Sequence, residues 1–185
     1  LQWALDKGCY ADVMWLKIAC SWFWFMRGQW YENGKWVNQL LPYRHELPVE
    51  LQLSLLTNVY AIGRAVEAFQ PLSRWQDEML ALLEICPNQH LRSAAWYFLG
   101  CYASDFVQAS AAWEESITAA RLAAAAPTVG PEFCLLTDCD FLLCSPLWTY
   151  ATELVERGKF AQALPLLQES QKIYERRESQ YELAD

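Results

Sequence analysis

Basic residues are scarce in this chain. Fourteen Lys and Arg stand against 22 Asp and Glu, giving a formal net charge of −8 and a pI near 4.8. No basic run or stripe occurs. An acidic surface is repelled by phosphate backbones and by anionic lipid headgroups, so direct contact with nucleic acid or with a membrane is not expected. Long apolar runs are missing too. A spanning helix needs ~18 or more uninterrupted apolar residues, and the nearest stretch, 13–26, is broken by Lys17 and Ser21. No secretory signal is read at the start. There is no GxxxxGK[ST], so nucleotide binding by a P-loop is excluded. No CxxC pair and only two His are present.

What remains is a chain rich in apolar and aromatic residues. Hydrophobic residues make up 54% and charged residues 19%, which excludes disordered and coiled-coil classes. The length of 185 residues suits one domain with a real core. The charge is uneven: residues 1–50 carry five acids and five bases, whereas residues 127–185 carry ten acids and five bases. The seven cysteines (Cys9, Cys20, Cys86, Cys101, Cys134, Cys139 and Cys144) sit mostly inside apolar runs. Buried, reduced thiols in a cytoplasmic protein are expected. Leu1 at the start, and an end just past a helix, read as the cut ends of a longer protein.

Helical periodicity and breakers predict about four hairpins in one all-α domain spanning 1–185. The first pairs 11–27 with 31–41 and turns at Gly28, where glycine tolerates the left-handed backbone. The second pairs 49–69 with 72–86, with Pro48 at its start and Gln70-Pro71 between its helices. The third pairs 91–102 with 106–125, with Ser104 or Asp105 capping the second helix. Residues 127–138, with Pro127, Gly130 and Pro131, read as a long loop. The fourth pairs 141–157 with 159–177, turns at Gly158, and holds Pro146 in its first turn. There Phe160, Ala163, Leu164, Leu167 and Ile173 fall on one face. The tail 178–185 reads as the start of a fifth hairpin.

Gly158, Phe160, Ala163 and Leu167 in the fourth hairpin resemble the tetratricopeptide repeat, a helix–turn–helix unit of roughly 34 residues. So do Trp96, Leu99, Gly100, Ala109 and Trp113 in the third. In the first hairpin, Trp22, Phe23, Trp24, Arg27, Gly28, Glu32, Trp36, Leu40 and Leu41 are similar to a segment of bacterial multidomain transcription regulators. Leu1-Gln2-Trp3-Ala4-Leu5 resembles the opening helix of that segment. These are signal-transduction ATPase regulators of the LuxR type, the maltose-regulator group and the Streptomyces antibiotic regulatory protein type. The resemblance implies a right-handed tetratricopeptide-like α-α superhelix that is non-catalytic, takes no cofactor, and works beside ATPase and DNA-binding parts of a parent chain.

In such a superhelix the first helices of successive hairpins line a concave groove. Aligned to the repeat, Tyr97, Cys101 and Ser104, then Trp148, Thr152 and Glu156, point into it. The same count adds Trp22 and Phe25 from the first hairpin. The expected groove is aromatic, weakly polar and locally acidic, suited to a protein segment or a small effector.

Three patterns with chemical potential have plainer readings. Cys134, Cys139 and Cys144 are spaced by five, which rotates a helical side chain by about 140°, so they do not share a face as metal ligands must. Asp138 and Asp140 form a candidate acid/base pair, but acids are common at a helix start. His45 and His90 lie in interhelix segments beside prolines, without a nucleophile motif. The expected function is a non-catalytic protein- or effector-binding regulatory module of a bacterial transcription regulator. A general interaction scaffold without a transcriptional role is the alternative, and an enzyme ranks third.

Overall fold

Gly8, Gly28 and Gly158 have φ of 73°, 65° and 71°, in the left-handed region that favours glycine. Each ends a helix by the same device. The amide one residue later bonds back five residues: Cys9 N to Ala4 O (2.9 Å), Gln29 N to Trp24 O (2.8 Å) and Lys159 N to Leu154 O (2.8 Å). This Schellman closure satisfies carbonyls that a helix end leaves open and reverses the chain. The turns expected at Gly28 and Gly158 are therefore present. A third, at Gly8, separates the short opening helix from the next.

The computed structural model describes residues 1–63, 69, 71–125 and 139–182; the side chains of Trp22, Phe25, Met26, 139–141 and 177–182 fall outside that description. The described residues are helical and contain no strand. In order they form α1 (Gln2–Asp6), α2 (Tyr10–Met26), α3 (Trp30–Leu40), a 3-10 turn (Leu41–Glu46) and α4 (Val49–Ile62). A second 3-10 turn (Leu72–Trp75) leads into α5 (Gln76–Ile85), followed by α6 (Gln89–Cys101), α7 (Phe106–Ala125), α8 (Cys139–Glu156) and α9 (Phe160–Glu182). Asn88 caps α6 by accepting from Leu91 N at 3.1 Å. Asp105 caps α7 by accepting from Gln108 N at 2.9 Å, so Asp105 rather than Ser104 fills that role.

Four expectations change. The first helix of the second hairpin was expected to run to residue 69 but ends at Ile62, capped by Gly63. Pro146 lies within α8, well past its first turn, because that helix already starts at Cys139. Residues 178–182, read as the start of a fifth hairpin, continue α9, which runs unbroken to Glu182, and residues 183–185 lie outside the described residues. On α9, Ala163 and Ile173 are buried as expected, but Phe160 and Leu164 are 65% and 55% exposed, because no described element packs over them. The loop 127–138 lies outside the described residues.

Consecutive helices pack against each other, most extensively α6 with α7 and α8 with α9. The alternate helices α2, α4, α6 and α8 also touch in succession. Small residues allow the closest approach. Gly100 of α6 lies under Trp113 of α7, and a Cβ there would come within 2.5 Å of the indole Nε1. Nearby, the Ser116 hydroxyl donates to the Ser93 carbonyl at 2.7 Å across the same buried contact. One large apolar cluster extends from Ala4 to Ala112 and takes in Leu142. Smaller clusters around Leu147 and Leu154 join the last two helices to α7 and to each other.

Lys17 of α2 is fully buried, and its ammonium donates to the Asn58 side-chain oxygen of α4. Asn58 in turn donates to Ser54 O within α4 at 2.7 Å. A buried ammonium needs such a partner because desolvation penalises the charge heavily. No helix of the described residues is long and apolar enough to cross a membrane.

Candidate functional site

Tyr97 and Cys101 lie on the outer turns of α6, and Ser104 lies in the tight turn to α7. Trp148, Thr152 and Glu156 lie along α8. Tyr97 is half-buried, with its hydroxyl beside the side chains of Thr149 and Cys101, between α6 and α8. Trp148 is 58% exposed. Thr152 and Glu156 are exposed as well, and the Thr152 hydroxyl turns back to Trp148 O at 2.9 Å. The side chains of Trp22 and Phe25 lie outside the described residues.

The cleft at this junction is lined one residue further along α8. Thr149, Glu153 and Arg157 line it, opposite Cys101, Ser104 and Phe106, in a volume of about 520 Å³. A step of one residue turns a helical side chain by about 100°, which carries Trp148, Thr152 and Glu156 round to the neighbouring solvent face. The structure therefore brings Cys101 and Ser104 together in one cleft and sets Tyr97 beside it. Sequence reasoning missed Thr149, Glu153 and Arg157. The Gly158 turn was the available signal, since counting back from it places Arg157 at the mouth of the hairpin.

An aromatic floor and a polar rim give this cleft its chemistry. Phe106 opens α7, with the Arg157 guanidinium 4.3 Å and the Lys159 ammonium 5.0 Å from its ring centre. Arg157 also pairs with Glu153 at 3.2 Å. The Tyr150 ring lies 5.9 Å from that of Trp113, and its hydroxyl donates to Glu114 at 2.8 Å. Trp113 is 3% exposed, and its indole N–H finds no acceptor among the described residues. Hydroxyls, a carboxylate pair (Asp105 and Glu153) and a guanidinium thus ring an apolar base.

The resolved titration shifts concern tyrosines and one thiol. Burial pushes Tyr60, Tyr97 and Tyr150 up to about 12, and it also raises the Cys86 thiol. A raised phenol is protonated in the folded state where the unfolded chain has already ionised. The stability it contributes is fully present below about pH 10 and is lost as pH rises towards 12. Tyr60, 2% exposed, alone contributes up to about 3 kcal/mol of that loss. Melting temperature followed from pH 8 upward, alongside phenolate absorbance, is expected to decline slightly above about pH 9, as the Cys86 contribution is lost, and to fall steeply above about pH 10.

The other candidates are quickly placed. His45 is an exposed residue 3.8 Å from Glu78, which also binds Arg44 at 2.8 Å. His90 lies in the first turn of α6. Cys134 and Asp138 lie outside the described residues, as do the side chains of Cys139 and Asp140. Cys144 is buried against Ser170 O at 3.9 Å. Among the described residues no three His, Cys, Asp or Glu come together as metal ligands. A second cleft of about 530 Å³ lies between α5 and α7, over α6. No family model, curated protein or solved structure matches this chain.

Proposed function

We propose that this chain is a non-catalytic regulatory module that binds a protein segment through the cleft between α6, α7 and α8, within a tetratricopeptide-like right-handed superhelix. The observation that carries the reading is the composition of that cleft. It draws its walls from two successive hairpins, Cys101 to Phe106 on one side and Thr149 to Arg157 on the other. A ligand held there contacts both and biases their relative packing, which is how a stack of nearest-neighbour repeats passes on a binding event. The touching row α2, α4, α6 and α8 supports the stacked-hairpin reading. The glycine turns at 28 and 158 support the resemblance to bacterial ATPase-type transcription regulators. In that setting the bound state is relayed to ATPase and DNA-binding parts of a parent chain.

Selection of random peptides displayed against the immobilised chain tests the binding claim. Peptides are expected to enrich and to bind in the micromolar range. Ser104→Trp, at an exposed cleft position, is expected to weaken them about tenfold or more without lowering the melting temperature. Enriched peptides indifferent to Ser104→Trp and Arg157→Ala contradict the site. A P-loop domain and a DNA-binding domain encoded in the same gene favour the regulator over a general interaction scaffold. Their absence favours the scaffold.

A further inference from the structure

The cleft between α5 and α7 has a different character from the one just described. Its volume of about 530 Å³ lies inside the range of small-ligand pockets, roughly 300–1,000 Å³. Trp96 and Tyr102 present aromatic surface to it, and the buried Tyr60, Leu72 and Leu99 form an apolar base beneath. The base is firmly built. Tyr60 is 2% exposed, its hydroxyl donates to Leu72 O at 3.1 Å, and its ring meets that of Tyr102 edge to face at 5.6 Å. Among the described residues lining the cleft, Glu115, on the exposed flank of α7, is the one that carries a charge.

Aromatic walls with a single carboxylate at the mouth select by charge. The carboxylate attracts a cation, and a chain of net charge −8 concentrates cations near its surface. A carboxylate ligand meets repulsion from Glu115 and gains no counter-charge. The apolar base buries a hydrocarbon or aryl body at about 25 cal/mol per Å².

We infer that this cleft is a binding site for a small organic cation with an apolar body, of the arylalkylammonium class. The ammonium lies at the Glu115 mouth, and the aryl group lies against Trp96 and Tyr102, over the Tyr60 base. The site belongs to the junction of the second and third hairpins. It is separate from the peptide cleft, so each stands or falls on its own variants.

Calorimetric titration of the whole chain with phenethylammonium, phenethyl alcohol and phenylacetate tests it. The cation is expected to bind about tenfold more tightly than the alcohol, and phenylacetate not measurably. Glu115→Gln is expected to remove the preference for the cation while leaving the alcohol's affinity unchanged. Ala111 is exposed and lines the cleft, so Ala111→Trp is expected to fill it and abolish binding at an unchanged melting temperature. Ser104→Trp, in the other cleft, is expected to leave the titration unaltered. Equal affinity for cation and alcohol, cation binding that survives Ala111→Trp, or no binding of the cation at all overturns the proposal.

Discussion

Replacing Trp113 with alanine is expected to destabilise the protein by about 3–5 kcal/mol, the range for removing a buried indole. Trp113 is 3% exposed and packs over Gly100 on one side and Tyr150 on the other, so it joins the third hairpin to itself and to the fourth. The cavity cannot close, because the helix contact beneath is already set by glycine and the Ser93–Ser116 bond. The reciprocal change is informative. Alanine at a helical glycine ordinarily gains about 1 kcal/mol. At Gly100, however, the new Cβ falls 2.5 Å from the indole Nε1 and 2.6 Å from Cδ1. Gly100→Ala is therefore expected to destabilise by about 1–3 kcal/mol, against the propensity. Paired with Trp113→Ala it is expected to cost little more, because the clash has gone. Urea unfolding of the two single variants and the double variant measures all three values.

The second large effect lies at Lys17 and Asn58. Asn58→Leu is expected to cost about 3 kcal/mol or more, because it takes the Asn58 oxygen away from a fully buried ammonium. Lys17→Met removes the charge itself and leaves only a neutral amide oxygen to satisfy, so a smaller loss of about 1–3 kcal/mol is expected. The pair together is expected to fall near the wild type, within about 1 kcal/mol, since an apolar pair of similar volume replaces a costly buried charge. Urea unfolding run as a double-mutant cycle reads the coupling. Equal costs for the two single changes would mean that the ammonium is not desolvated.

The helices were legible because their punctuation is local. Gly28 and Gly158 mark turns whose left-handed φ suits glycine, and Asn88 and Asp105 carry their own capping oxygens. The helix starting at Val49 read seven residues too long, since Ala65, Val66 and Phe69 continue a helical spacing and Gly63 is the one stop signal before Pro71. The start of α8 was read two residues late, at Phe141 rather than Cys139. The site was harder. A groove is defined by which way a helix is rotated about its axis, and one residue of register turns Trp148 outward and Thr149 inward. Lys17 also reads in sequence as an interruption of an apolar stretch. Its partner lies 41 residues away on α4, a separation that no local pattern reveals.

The central claim is that one ligand engages two successive hairpins at once, and amide chemical-shift mapping of the isotope-labelled chain with the strongest selected peptide tests it most directly. The account predicts simultaneous shifts at Cys101–Phe106 and at Thr149–Arg157, saturating at one peptide concentration, with the opening helices undisturbed. Shifts confined to one hairpin, or gathered on the exposed apolar residues Phe160 and Leu164 instead, would contradict it.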